Sequence, residues 1–169
     1  EPAFRTRTDA NRRGDGRISR DSNLFLPADE FSTVVKDVRK LRSSLKPEKN
    51  SMAVGRYGRM LDNRSDAHSC LASDATTKRI NRIAGMPSPP LITSEYPMEL
   101  RVYRVGAGMD WHVDDCLFDW PQCEVVLVLE NTSDSFTEFI DADGVLQLSL
   151  ADARTLVRTN VHSCTRACT

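Results

Sequence analysis

Tyr103-Arg-Val-Gly106-Ala-Gly-Met-Asp-Trp111-His112-Val-Asp114 is the stretch whose reading decides the fold. His112 and Asp114 stand two residues apart, and on a β-strand residues i and i+2 point to the same side. An imidazole and a carboxylate placed in this way can converge on one ion. A third ligand has to come from another strand. His162 follows 50 residues later, after two or three further strands, a path that returns the chain beside its start in a jelly roll. Two histidines and a carboxylate on one side of an ion leave positions open for a co-substrate and O2, the arrangement suited to non-heme Fe(II). An H-x-D pair taken alone is equally compatible with a histidine that only satisfies a hydrogen bond in the core.

Working outward, the period of two continues. Glu99–Val105 alternates as a strand, and Glu124–Leu129 is a continuous apolar run, as in a strand covered on both faces. Val145–Leu150 and Thr155–Val161 predict two more strands. Gly106 and Gly108, Asn131-Thr-Ser-Asp134 and Asp143-Gly144 mark turns. Upstream, Met86-Pro-Ser-Pro-Pro90 is a breaker. Before it the period is helical: Phe31, Val34, Val35, Val38, Leu41 and Leu45 recur between Pro27 and Leu45. Asp29 and Glu30 lie where the helix dipole favours negative charge, and Pro47 ends the segment. Residues 48–63, with Gly55 and Gly58, read as a loop. Asp66–Ala84 reads as a second helix with Ile80 and Ile83 turned inward and Gly85 as its stop. Helices followed by strands predict an α+β chain, a jelly roll or sheet sandwich with flanking N-terminal helices. The expected division is an extended basic arm over residues 1–22 and one domain over 23–169. Within that domain, 23–90 would be helical support and 91–169 the jelly-roll core.

The 169 residues suffice for one domain with a core. A net charge of −1 gives no overall drive toward nucleic acid or an anionic membrane surface. No apolar run approaches the roughly 18 residues of a membrane span. Five cysteines, an odd number at irregular spacing, argue against a secreted disulfide framework and for a reducing compartment. The first twenty residues set Arg5, Arg7, Arg12, Arg13, Arg17 and Arg20 against Glu1, Asp9 and Asp15. The arm is a solvated tail or a docking segment for a protein partner. Glu1 is not an initiator Met, so a removed presequence or a longer parent chain is expected.

The central stretch resembles the prolyl 4-hydroxylase-like branch of the Fe(II)/2-oxoglutarate oxygenases. That branch carries a Tyr nine residues before its first metal His and a Gly three after the Tyr, matched here by Tyr103, Gly106 and His112. Glu124-Val-Val-Leu-Val-Leu-Glu-Asn-Thr-Ser-Asp134, with Thr137-Glu-Phe-Ile-Asp141, is similar to a strand–turn–strand of uncharacterised algal members. Leu156-Val-Arg158 through Val161-His162 looks like the strand that delivers the second His. The likeness covers residues 96–169.

The resemblance implies a double-stranded β-helix with Fe(II) on His112, Asp114 and His162. It implies 2-oxoglutarate as co-substrate, contacted by Tyr103, and ascorbate as auxiliary reductant. The reaction would couple decarboxylation of 2-oxoglutarate to succinate and CO2 with hydroxylation of a protein side chain, proline included, or of a small molecule. Relatives anchor the distal carboxylate with a Lys or Arg farther past the second His than this sequence extends past His162. An incomplete jelly roll from a longer chain is therefore expected, with Arg166 as a substitute anchor. Asp134-Ser-Phe136 replaces paired glycines of relatives, and the turn before His162 looks short. Trp111, Phe118 and Trp120 line a substrate cleft or fill the core. The algal likeness implies a plastid location. Two other readings stay open: a non-catalytic jelly-roll scaffold subunit of a larger assembly, and a zinc site built from Cys164, Cys168 and His162.

Overall fold

Val34 and Val38 stand four residues apart on helix α1 (Ala28–Lys40), and both are buried. With Phe25, Leu26, Leu61 and Ala67 they form the centre of the hydrophobic core. The computed structural model describes residues 20–21, 25–49, 52–84, 92–93, 98–113, 123–140, 145–150, 156–160 and 164–168. The expected helix over 66–84 is two helices, α2 (Asp66–Leu71) and α3 (Asp74–Ala84). The reason is a serine at each start. Ser65 Oγ accepts from the His68 N–H at 3.1 Å, and Ser73 Oγ accepts from the Thr76 N–H at 3.2 Å. Each thereby satisfies an amide that a helix start leaves unpaired. Ile80 and Ile83 pack against the core, as their spacing predicts. No helix among the described residues is long and apolar enough to cross a membrane.

The strands are β1 (Arg20–Asp21), β2 (Lys46–Pro47), β3 (Ala53–Met60), β4 (Glu99–Val113), β5 (Cys123–Leu127), β6 (Phe136–Ile140), β7 (Leu146–Leu150), β8 (Leu156–Asn160) and β9 (Cys164–Cys168). Six form one sheet in the order β2-β3-β4-β9-β6-β7, and three form a second in the order β1-β8-β5. Every pairing is antiparallel. The strands expected near 124–129, 145–150 and 155–161 correspond to β5, β7 and β8. The strand expected at 99–105 runs on to Val113.

The loop reading of 48–63 is overturned by β3, which pairs with β4 from Ala53↔Met109 to Met60↔Glu99. Segment 23–90, expected to be helical support, thus also supplies strands β2 and β3. Of the basic arm, Arg20 and Asp21 pair with Val157 and Leu156 of β8, while residues 1–19 and 22 lie outside the described residues. Both halves of the chain share the core, since Met98, Leu100, Val125, Leu127 and Leu129 pack against the helical cluster.

The β3–β4 ladder is interrupted once. Val54 faces Gly108 and Arg56 faces Tyr103, so Gly55 stands against the four residues 104–107. Gly55 and Gly106 have φ of +69° and +77°, a region that side chains with a Cβ resist. A Cβ on Gly55 would sit 3.0 Å from that of the buried Ala107, whereas one on Gly106 meets nothing within 4 Å. Gly55→Ala should therefore cost about 2 kcal/mol or more, and Gly106→Ala about 1 kcal/mol. Chemical denaturation of the two variants measures the difference, and equal costs would contradict this account of the bulge.

Asp37 ties α1 to α2. Its Oδ2 accepts from the Ala67 N–H at 3.0 Å and its Oδ1 from Lys40 Nζ at 3.1 Å. The Ala67 amide, helped by Lys40, holds the Asp37 carboxyl below its ordinary value of 3.8, against a smaller opposing effect of burial. A carboxylate with a depressed folded pKa stabilises above its unfolded pKa, and the contribution is lost as pH falls through the folded pKa. Asp37→Asn should be less stable than wild type at pH 7, and the difference should shrink when the pH is taken below the ordinary value of 3.8. Urea denaturation at the two pH values tests this; a difference that persists in acid would assign it to packing.

Candidate functional site

His112 stands near the end of β4, where β4 pairs with β9: Gly108↔Cys168, Met109↔Ala167, His112↔Thr165 and Val113↔Cys164. Asp110 and Trp111 together oppose one residue, Arg166, which makes a β-bulge immediately before the histidine. The bulge sets the phase. Met109 and His112 are three apart, yet the register positions they pair with, 167 and 165, are two apart on β9, an even spacing that keeps the ladder in phase. Cross-strand partners lie on the same face, so Met109 and His112 do too. Without the extra residue His112 would point to the other side.

The bulge also supplies a hydrogen bond. His112 Nδ1 lies 2.9 Å from the Asp110 carbonyl oxygen. A carbonyl only accepts, so Nδ1 carries the proton. In the neutral ring this leaves Nε2 as the basic nitrogen, the one able to bind a metal, and fixes the ring plane as partners of metal-binding histidines do. His112 is half-buried, and Trp111 beside it is 38% exposed.

Tyr103 lies farther back on β4, opposite Arg56 of β3. Its hydroxyl accepts from Arg56 NH1 at 3.3 Å and lies 3.7 Å from Met109 Sδ. Arg56 NH1 also reaches Met109 Sδ at 3.2 Å. Tyr103, Met109 and Arg56 thus form one cluster, with His112 on the same face as Met109. Arg56 is 3% exposed. Its charge is met by Glu48, through Nε at 2.7 Å and NH2 at 2.5 Å from Oε2. Burial alone would lower the Arg56 pKa, but the hydrogen bonds to Tyr103 and Glu48 outweigh it and raise it. Arg56 and Glu48 are absent from the sequence-derived site, and the hydrophobic pattern around them carries no signal of their role.

Asp114 and His162 lie outside the described residues, as do Phe118 and Trp120. Among the described residues no three His, Cys, Asp or Glu side chains are grouped to hold a metal. Arg166 occupies the register position between Thr165 and Ala167, opposite the bulge and paired with Glu138 of β6. It is one position out of phase with the partner of His112. Cys164 and Cys168 open and close β9.

Fold and local geometry together define an antiparallel jelly-roll protein with a histidine at the end of a central strand. Its fold is similar to that of the crystal structure of a Pseudomonas putida prolyl-4-hydroxylase, with a TM-score of 0.69 and 20% sequence identity over 91% of this chain and 84% of that one. The likeness is one of fold, and it agrees with the jelly roll expected from the sequence. No protein-family model and no curated protein sequence matches the chain.

The geometry at the bulge makes a direct prediction. Long-range 1H–15N correlation of the metal-free protein at pH 8 should show the His112 ring protonated at Nδ1 with Nε2 unprotonated. The opposite tautomer would break the link between the bulge and the histidine.

Proposed function

We propose that the protein is an Fe(II)- and 2-oxoglutarate-dependent dioxygenase, with His112, Asp114 and His162 as the metal ligands and Tyr103 as a contact to 2-oxoglutarate. The observation that carries this reading is the Nδ1 hydrogen bond of His112 on a strand laddered to β9. That pairing includes Val113↔Cys164. Asp114 follows Val113 directly, and His162 precedes Cys164 by two residues. The donor set, two imidazoles and a carboxylate, suits Fe(II) and leaves room for further ligands.

Iron with 2-oxoglutarate and O2 would supply the oxidising power, with decarboxylation to succinate and CO2 as the driving step. The chain's own residues hold, orient and shield. His112 offers Nε2 in a ring fixed by the Asp110 carbonyl. Asp114 would bring negative charge to the cation. The Tyr103 hydroxyl, on the face shared with His112, suits a carboxylate acceptor. Arg166, out of phase with the partner of His112, enters only as a secondary anchor candidate.

The neighbour in structure is a prolyl-4-hydroxylase by name, and we propose a protein or peptide side chain, proline first, as the substrate class, with a small molecule as the alternative. Exposed Trp111 beside His112 offers an apolar contact for such a ring. We further propose that residues 23–169 form one domain, because helices and strands share one core. Ascorbate as auxiliary reductant, an algal-type affiliation, a plastid location and a protein partner for residues 1–22 rest on the sequence reading alone.

Purified protein given Fe(II), ascorbate and 2-oxoglutarate should form succinate, faster with a proline-rich peptide. His112→Ala should lower iron affinity about 100-fold or more, since a lost ligand costs at least what a lost ligand partner does. Its melting temperature should stay within a few degrees of wild type, because the ring is half-buried and contributes little core packing. Wild-type protein that neither retains iron nor forms succinate would replace this reading with the scaffold one.

A further inference from the structure

We propose that Arg56, braced by Glu48, is a positioning residue that turns the Tyr103 hydroxyl into a directed donor for a carboxylate of bound 2-oxoglutarate. The inference rests on the function proposed above and adds a residue that neither the sequence pattern nor the metal motif contains.

The argument begins with how the guanidinium is used. Nε and NH2 engage Glu48, and NH1 engages the Tyr103 hydroxyl and Met109 Sδ. A side chain so committed is poorly placed to grip a ligand itself. Its effect falls on Tyr103. An arginine only donates, so the phenolic oxygen accepts from NH1 and its own proton must point elsewhere. Within reach in this structure is Met109 Sδ at 3.7 Å, a thioether and therefore a weak acceptor. A carboxylate oxygen is a far better one and would take the proton in its place. Tyr103 therefore holds its donor ready, at the cost of only a weak bond when the ligand arrives.

The bracing is built into the backbone. Glu48 N–H donates to the Arg56 carbonyl at 3.0 Å, next to the short β2–β3 ladder. Position 58 is glycine, and a Cβ there would run into the Glu48 carboxylate. The glycine gives Glu48 room to cross β3 and reach Arg56.

The test is calorimetric titration of 2-oxoglutarate into the Mn(II)-loaded protein under nitrogen, which needs no turnover. Four proteins are compared: wild type, Tyr103→Phe, the paired Glu48→Gln/Arg56→Met, and all three changes together. The paired change removes the buried Arg56 charge and its half-buried partner Glu48 at once, which protects the fold. Tyr103→Phe should weaken binding about tenfold, the worth of a hydrogen bond to a charged group. The paired variant should weaken it by a similar factor, and the triple variant should be no weaker than Tyr103→Phe. Should the paired variant fail to fold, Arg56→Lys serves: it should weaken binding when Tyr103 is present and have no effect when Phe replaces it. Wild-type affinity in the Arg56 variants, or an Arg56 effect that multiplies fully with that of Tyr103→Phe, overturns the positioning role and leaves the dioxygenase reading standing. Wild-type protein that binds Mn(II) but not 2-oxoglutarate overturns both.

Discussion

The backbone ladder between β4 and β9 is the constraint on which the candidate site depends. It joins His112 to Thr165 across about 50 residues of chain. Closing so long a loop costs conformational entropy, though the cost grows only slowly with length. The closure is reinforced on both flanks. β4 is paired with β3 on its other edge, and β9 is paired with β6. A central strand held on two sides resists slipping. That matters here because a slip of one residue would move every side chain of β4 to the opposite face. The position of His112 is therefore set by sheet register before any ligand is considered.

Two irregularities adjust that register. The first sets Gly55 against residues 104–107 and uses positive φ at Gly55 and Gly106. It sits between Tyr103 and Met109, whose side chains nonetheless meet. The second sets Asp110 and Trp111 against Arg166 and brings His112 onto the face of Met109. Bulges concentrate beside active sites because an extra residue can re-aim a side chain without breaking the sheet. Here the second bulge does more, since the carbonyl of Asp110 is also the acceptor that fixes the His112 tautomer.

Legibility in the sequence follows core packing only in part: Leu100 of β4 packs against the core, whereas Val145 and Leu146 of the β7 run are 51% and 54% exposed. Val125 and Leu127 of β5 pack on the helical core, but Val126 between them is 46% exposed, so the run expected to be covered on both faces marks a strand that is not. Within the Tyr103, Gly106 and His112 spacing, Gly106 is one of two positions among the described residues with the positive φ that favours glycine. β3 was hidden because its pattern is inverted. Val54 and Met60 are 69% and 50% exposed, while Arg56 is buried. A reading based on apolar residues facing inward had no means of placing an inward arginine. The break between α2 and α3 was missed because the helical period continues across it, and only the capping geometry of Ser73 reveals the new start.

Sequence rules tend to fail where a protein trades local consistency for function, and the failure at β3 has that character. An ion pair built on a buried arginine is weak evidence of stabilisation, because desolvating the charge costs several kcal/mol and apolar replacements often serve as well. If the space beside Tyr103 only needed filling, a Leu or Met at position 56 would fill it without a second residue to neutralise the charge. Instead the chain keeps Arg56, keeps Glu48 to balance it, and leaves position 58 without a side chain so that the two can meet. What this arrangement yields that an apolar one could not is a permanent, aimed donor to the Tyr103 hydroxyl. In the positioning role proposed for Arg56, the direction of that donor is the property that matters. It settles which way the phenolic proton turns on the face that also carries His112.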